Sequence, residues 1–563
     1  MNTNKTGVIH LVDLCAAHGV RFAVISPGSR NAPITRAFLQ HQELTCHSIV
    51  DERSAGFVAL GMAQQLQSPV ALVCTSGSAV LNYAPAVVEA FYQGIPLVII
   101  SADRPEAWID QGIGQSIRQP GALKNFVKKE VSLPGKLADN PEEMLWYNNR
   151  LINEALLACK KEIPGPVHIN VPLSEPLYKT EFSTSESSNA KVIQTITPET
   201  QSITLPEIDS YTNILILIGQ QAKQEELTSV LKELSKLNTI QIWTECTANS
   251  YHPNFCNGID KLLMSLNEND RQNFTPDLII STHGAIVSKK VKRFLQESNA
   301  HHWLIHPEGT IKDTFAKLRL VVKSDPLTVF HSLLNTIKGQ QKNSSYQLLL
   351  KSRINAIENL HESYLKKAPF SDFLVFGHLF KFLRKKSINL HLANSATVRY
   401  AQLFEPAQQI HYFSNRGTSG IDGSSSTAVG AAMVSDKTNW LISGDISFLY
   451  DSNAFWNTNL PNNLKIVVIN NSGGGIFRII DGPEINDDFE QFMETTHNHS
   501  AINLCKQFHV KYLSADNEEQ LKDGLEQLSA FDGICLLEVF TPREKNADVL
   551  NNYFNTLKSY HYE

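Results

Sequence analysis

Short apolar runs rich in β-branched residues alternate with helix-period patterns along the whole chain, and this alternation constrains the fold more than any other feature. Adjacent parallel strands need a crossover of a dozen or more residues, usually helical, so the rhythm predicts parallel α/β architecture. The first group of runs is RFAVIS (21–26), SPVALVCT (68–75), IPLVIIS (95–101) and PVHINV (166–171). A second group follows with NILILIG (213–219), TIQIW (239–243), DLIIST (277–282) and HHWLIH (301–306). The third comprises SINLHLANS, QIHYFSN, NWLISGD, LKIVVINN and GICLLEVF. Two polar stretches without periodicity, around 179–205 and 338–347, separate the groups. A chain of 563 residues exceeds one hydrophobic core. The expectation is three α/β domains, each a mostly parallel sheet flanked by helices, over 1–180, 206–340 and 341–563, with 181–205 as a linker.

Composition removes several classes of function. The chain is 42% hydrophobic and 19% charged, with a net charge of −6. It has no basic run suited to nucleic acid or an anionic membrane surface. Its eight cysteines (Cys15, Cys46, Cys74, Cys159, Cys246, Cys256, Cys505, Cys535) form no CxxC pair and read as buried thiols in a reducing compartment. The start of the chain lacks a signal-peptide pattern, and no run reaches the length of a membrane span. A cytoplasmic protein that binds neither nucleic acid nor membrane is expected.

Ligands of open parallel sheets bind at the carboxyl ends of strands, so the residues just after each run matter most. Asp445 closes one run and Asn471 the next, so the two side chains are expected at one edge of the sheet. With the carbonyl of Gly473 they offer three hard oxygens, which suit Mg²⁺ (or Mn²⁺) that completes its shell from water and phosphate. SPGSRN presents Ser29 and Arg30, ADRPE presents Arg104, and TSGSAVLN adds a further turn. Any one of these is an ordinary turn; three in one domain, two of them carrying arginine, point to an anion pocket. LANSATVRY brings Asn394 and Ser395 before a helix holding Arg399, and SNRGTSGIDG brings Arg416 and Ile421. Asp51 and Glu52 open a patterned helix, where acids complement the helix dipole or do chemistry.

The Asp445 to Asn471 spacing resembles the thiamine-diphosphate signature, with Ile446 standing where that signature usually has glycine. SPGSRNAP, DERSAGFVALGMA, TSGSAVLNYAPAVVEAFYQGIPLVIISADRPE, GQSIRQPG, SNRGTSGID and GDISFLYDSNAF together resemble the 2-succinyl-5-enolpyruvyl-6-hydroxy-3-cyclohexene-1-carboxylate (SEPHCHC) synthases of menaquinone biosynthesis. The blocks lie in the first and third groups, while the middle matches only in outline. The resemblance implies the thiamine-diphosphate enzyme fold, with a pyrimidine-binding domain (1–180), a central domain (206–340) and a diphosphate-binding domain (341–563). It also implies a homodimer or homotetramer whose active sites are shared between subunits.

On the same ground Glu52, kept protonated by an apolar surround, faces the cofactor's aminopyrimidine. Asn394, Ser395, Ile421, Asp445, Ile446, Ser447, Asn471, Gly473, Gly474, Ile476 and Phe477 contact the cofactor, and Ile421 is its bulky wedge. Ile476 and Phe477 pack over the reacting centre and exclude water, with ordinary core packing as the other reading. Ser29, Arg30, Arg104, Gln115, Ser395, Arg399 and Arg416 line the substrate pocket, where guanidinium forks suit carboxylates. Lys289 and Lys290 match a basic pair of the family that is often Lys-Arg; a solvated helix-start charge is the other reading of that pair. The implied reaction decarboxylates 2-oxoglutarate and adds the succinyl fragment to isochorismate. Another 2-oxoacid decarboxylase, an acetohydroxyacid synthase and a catalytically silent binding protein are the competing readings.

Overall fold

The computed structural model describes residues 3–134, 140–178, 190–196, 202–338, 344–458, 460–480, 483 and 486–559. Three sheets carry the fold, and their strands run parallel. The first contains β1 (Phe22–Ile25), β2 (Thr45–Ser48), β3 (Val70–Cys74), β4 (Leu97–Asp103), β5 (Lys129–Ser132) and β6 (Val167–Pro172) in the order β2-β1-β3-β4-β6-β5. The second contains β7 (Ile214–Ile218), β8 (Ile240–Thr244), β9 (Leu278–Thr282), β10 (His301–Ile305) and β11 (Leu318–Val322) in the order β11-β10-β9-β7-β8. The third contains β12 (Asn389–Leu392), β13 (His411–Phe413), β14 (Asn439–Gly444), β15 (Leu464–Asn470), β16 (Lys511–Ala515) and β17 (Cys535–Phe540) in the order β13-β12-β14-β15-β17-β16. The central strands β3, β4, β7, β9, β12 and β15 and the edge strand β8 are buried at every residue, as sheets covered by helices on both faces require.

The chain forms two compact units. One comprises residues 1–197 with 417–439 and 450–464; the other comprises 198–416 with 440–449 and 465–563. In the first unit, the core between β1, β3, β4, β6 and the flanking helices is filled by Val, Ile, Leu and Ala. The helix Glu52–Leu66 is buried from Ser54 to Gln64. It can be so because the helix Ser424–Met433, SSSTAVGAAM, offers small side chains and lies directly against it. The two backbones nearly touch: a Cβ on Gly61 would stand 2.0 Å from the Thr427 carbonyl oxygen, and one on Gly430 would stand 2.0 Å from that of Val58.

The second unit holds the second and third sheets around a shared apolar core that runs from Leu215 and Trp243 to Leu390, Ile442 and Tyr553. Of the expected linker, 181–189 and 197–201 lie outside the described residues. Its segment 190–196 is extended, and the Asn153 side chain donates to the Lys191 carbonyl (2.9 Å) and accepts from Ile193 N (2.8 Å). All eight cysteines are free thiols, and all but Cys46 are buried. No helix among the described residues is long and apolar enough to cross a membrane.

Candidate active site

In the third sheet the chain leaves β12 toward β13 on one side and returns to β14 on the other, which makes the carboxyl ends of β12 and β14 a topological switch point. Asp445 follows β14 directly, and Asn471 follows β15, the neighbouring strand. Asp445 is 3% exposed. Its Oδ1 accepts from Ile446 N (2.7 Å), its Oδ2 accepts from Gly473 N (3.0 Å), and His497 Nε2 lies 3.3 Å from Oδ2. The aspartate thus ties the glycine loop to the end of its own strand. Asn471 donates through Nδ2 to Asp372 Oδ2 (3.0 Å). That bond fixes the amide's orientation and leaves its buried Oδ1 with no hydrogen-bond partner among the described residues. A buried acceptor without a donor is uncommon and calls for an explanation such as an ion. The Gly473 carbonyl accepts from Gly475 N (3.0 Å) and keeps a second lone pair. A carboxylate, an orphaned amide oxygen and a half-used carbonyl make a hard-oxygen donor set that fits a magnesium-sized cation carrying phosphate and water.

The loop after Asn471 is strained where it must turn. Ser472 has φ 62° and Gly473 φ 156°. A Cβ on Gly473 would stand 2.9 Å from the Glu494 carbonyl oxygen, and that same oxygen accepts from Gly474 N (2.6 Å). The fully buried Glu494 is held in turn by Arg478 Nε and Nη2 at 2.6 and 2.7 Å. Ile476 is buried and Phe477 half-buried on the short helix after the glycines. Ile446 and Ser447 lie in the first turn after Asp445, with Ser447 buried.

At the end of β12, Ser395 adopts φ 67°, a left-handed conformation that costs a non-glycine residue on the order of 1–3 kcal/mol and marks functional sites more often than ordinary turns. Its carbonyl accepts from Arg399 Nη1 (2.6 Å). Asn394, 2% exposed, donates to the Asn415 carbonyl (2.7 Å) and accepts from Arg416 Nη1 (2.8 Å). The helix beginning at Ala396 has only six residues, and Ser395 makes no side-chain cap, so this part of the site rests on Asn394 and the two arginines.

The basic helix Lys289–Glu297 of the central sheet divides the readings offered for its lysines. Lys290 Nζ sits 4.9 Å from the Phe554 ring centroid, a cation–π contact that engages it elsewhere. Lys289 is exposed, whereas Lys292, one turn on, is half-buried. Burial holds the Lys292 ammonium below its ordinary value; the Glu245 carboxylate opposes that shift, and Arg416, Lys289 and Arg399 add to it. Three cations therefore gather about Lys292, and Lys292 and Arg416 both act on Glu245, a fully buried carboxyl that desolvation pushes up to about 7 although Val287 N and Ser288 N each donate to it at 2.7 Å.

In the first unit, the turns after β1, β3 and β4 bring their side chains together. Arg30 is 7% exposed; its guanidinium donates to the Leu173 carbonyl (3.0 Å) and pairs with Glu175 (3.3 Å). Burial and the neighbouring Arg104 charge both lower the Arg30 pKa, the signature of two cations converging. Arg104 donates from Nε and Nη2 to the Gly114 carbonyl (3.2 and 2.7 Å). Gln115, at φ 53°, accepts through its carbonyl from Ser76 Oγ (2.8 Å). Ser29 is exposed beside them, and Ile421 is half-buried on the loop leading to the helix Ser424–Met433.

Asp51, not Glu52, caps the helix, accepting from Arg53 N (2.9 Å) and Ser54 N (3.3 Å) through Oδ1 and from Asn453 Nδ2 (2.7 Å) through Oδ2. The Glu52 carboxyl is half-buried and has no hydrogen-bond or ion-pair partner among the described residues. Glu52 is thus partly open to solvent rather than enclosed.

Sequence reasoning missed Asp372, Lys292, Glu245 and Glu494. None stands at a motif position, and each reaches the site through a pairing distant in sequence. The strongest available signal was Lys292, which shares a helix face with Lys289.

Two family models match the chain: the N-terminal thiamine pyrophosphate binding domain of thiamine pyrophosphate enzymes over residues 5–122, and the C-terminal binding domain of the same enzymes over 394–539. Parallel sheets, a hard-oxygen corner at a switch point and these two matches define a thiamine-diphosphate-dependent enzyme. A protein of Flavobacterium johnsoniae named 2-succinyl-5-enolpyruvyl-6-hydroxy-3-cyclohexene-1-carboxylate synthase is 42% identical, over 97% of this chain and 98% of its own length. Proteins of the same name from Bacteroides thetaiotaomicron (37% identical, 99% and 100% covered) and Porphyromonas gingivalis (36% identical, 100% and 98% covered) match end to end as well. The chain belongs to the SEPHCHC synthase family.

Proposed function

We propose that this protein decarboxylates 2-oxoglutarate and adds the resulting succinyl fragment in 1,4 fashion to isochorismate, forming SEPHCHC and carbon dioxide in menaquinone biosynthesis. The observation that carries this reading is the gathering of cations within each compact unit of an acidic protein. Arg399, Arg416 and Lys289 gather about the half-buried Lys292 in the second unit, and Arg30 and Arg104 converge in the first. A small monoanionic substrate does not need so many cations; two substrates with two carboxylates each do.

Asp445, the Oδ1 of Asn471 and the carbonyl of Gly473 would hold Mg²⁺ (or Mn²⁺). Asn394, Ser395, Ile421, Ile446, Ser447, Gly474, Ile476 and Phe477 would hold thiamine diphosphate. When bound, thiamine diphosphate supplies the nucleophilic carbon and electron sink that no side chain offers. The protein's share is binding, orientation and proton handling. Arg30, Arg104, Arg399 and Arg416 fix carboxylates with planar forks, Lys292 and Lys289 add less directional charge, and Ser29, Gln115 and Ser395 supply neutral donors. Glu52 is the group that holds a proton on its carboxyl oxygen, for which its lack of an internal partner leaves it free.

On this reading the sheets serve as a pyrimidine-binding domain (1–180), a central domain (206–340) joined by the 181–205 linker, and a diphosphate-binding domain (341–563). The half-open Glu52 supports a homodimer or homotetramer, in the cytoplasm, in which Glu52 of one subunit completes the site built on Asp445 of another. Carbon dioxide release from 2-oxoglutarate with thiamine diphosphate and Mg²⁺, with and without isochorismate, tests the reading. Strong dependence on isochorismate is expected; release from pyruvate alone, indifferent to isochorismate, would replace it with a simple oxoacid decarboxylase.

A further inference from the structure

Glu89 lies on the helix Ala84–Gln93, inside the block that runs from Thr75 to Glu106 but at none of the candidate site residues, and is 1% exposed. It has no cation within ion-pair distance among the described residues. A buried carboxylate without a counterion is costly unless hydrogen bonds compensate it. Here they do, and they come from the loop 414–423: Gly417 N donates to Oε1 (2.7 Å), and Thr418 N and Oγ1 donate to Oε2 (2.7 and 2.6 Å). Gln93 Nε2 adds a fourth bond from the same helix. The approach is close enough that a Cβ on Gly417 would stand 2.6 Å from the Glu89 carbonyl oxygen.

The first of these amides belongs to the peptide group that joins Arg416 to Gly417. Because a peptide group is planar, fixing its N–H fixes the direction in which the Arg416 backbone leaves. One residue past the clasp, Ser419 sits at φ 65°, so the loop adopts a conformation that its own sequence does not favour. Ordinary packing would be served as well by an apolar side chain, which avoids burying a charge. What only a carboxylate supplies is two acceptor oxygens side by side for two successive amides.

We infer that Glu89 is a positioning residue: it clasps the 416–418 backbone so that Arg416 is presented to substrate carboxylate. The inference rests on the substrate role proposed for Arg416 and deepens it.

The test is a double-mutant cycle in the holoenzyme, with Glu89→Gln, Arg416→Ala and the pair. A glutamine keeps one acceptor and turns a donor toward the second amide, so at least one loop bond is lost. For Glu89→Gln the expected result is a KM for 2-oxoglutarate or isochorismate raised about tenfold, with kcat within about threefold. Adding Glu89→Gln to Arg416→Ala should then cost nothing more. Additive effects, or an unchanged KM, would overturn the inference, since a merely structural role adds. Should Glu89→Gln unfold the protein, Thr418→Val removes one bond to the same carboxylate, and the same coupling is expected with a smaller KM effect. Dissociation constants for 2-oxoglutarate, measured calorimetrically on the same four proteins, read the coupling independently of turnover. A wild-type protein lacking isochorismate-dependent carbon dioxide release would sink the proposed function, while the presence or absence of coupling in anion binding would still decide the role of Glu89.

Discussion

Asn471 commits its amide N–H groups on one side to Asp372, and that commitment decides what its oxygen can do. Asp372 is itself fixed, accepting from Thr541 Oγ1 (2.6 Å) through its other oxygen and donating its backbone N–H to Asn546 Oδ1 (2.9 Å). An amide without such a partner flips between two orientations of similar energy, and only one presents oxygen to a cation. Asp372→Leu should therefore raise the Mg²⁺ concentration needed for thiamine-diphosphate binding by about 10–100-fold, as loss of an outer-shell partner does in other metal sites. Metal titration of cofactor binding, followed by intrinsic fluorescence, checks it; an unchanged midpoint would show that Asn471 needs no steering. Asp445 and Asn471 could be singled out from the sequence because each directly ends an apolar run, so their placement is a local fact. Asp372 could not, because it meets Asn471 from the start of a helix that the chain passes long before β15.

Between elements, the crossing of Glu52–Leu66 with Ser424–Met433 depends on two glycines that each admit the other helix's backbone. Gly430→Val would place a branched side chain where the Val58 carbonyl now sits, and overpacking of this kind costs about 1–3 kcal/mol. The expected outcome is a lower midpoint in urea with an unchanged m-value; a midpoint equal to wild type would mean that the helices separate at no cost. Four strands gave no periodic signal, and all four lie at sheet edges, although the edge strands β8 and β13 did give apolar runs. The fully buried central strands announce themselves as continuous apolar runs. β2, β5, β11 and β16 were not anticipated; they lie at sheet edges, carry exposed residues and read as TCHS, KEVS, LRLVV and KYLSA. Such an edge strand is held by its neighbour's free hydrogen-bonding groups, and where its own residues are polar its sequence carries no periodic trace. The helix starting at Glu52 was legible for the opposite reason, since Asp51 is a strong cap followed by an unbroken apolar pattern.

For the whole molecule, the proposed sharing of sites has a measurable signature. Glu52→Gln chains and Asp445→Ala chains should each be inactive alone. After mixing and subunit exchange, random heterodimers contain one site with both native residues, so about a quarter of wild-type activity should return. No recovery after demonstrated exchange would place both residues of a site on one chain. The segments 417–439 and 450–464 pack into the first compact unit although they follow it by more than two hundred residues. Periodicity marks where strands and helices are; it carries no record of which distant helix covers which face. That discontinuity bears on how the protein is made. When the ribosome has finished the first sheet, the long helix behind it has no cover, and its partner is still more than two hundred codons away. At roughly 5–20 residues per second the wait is on the order of thirteen to fifty seconds. The nascent chain spends that time with an apolar helix face open to holdases, so translation speed through the middle of the message becomes a determinant of yield.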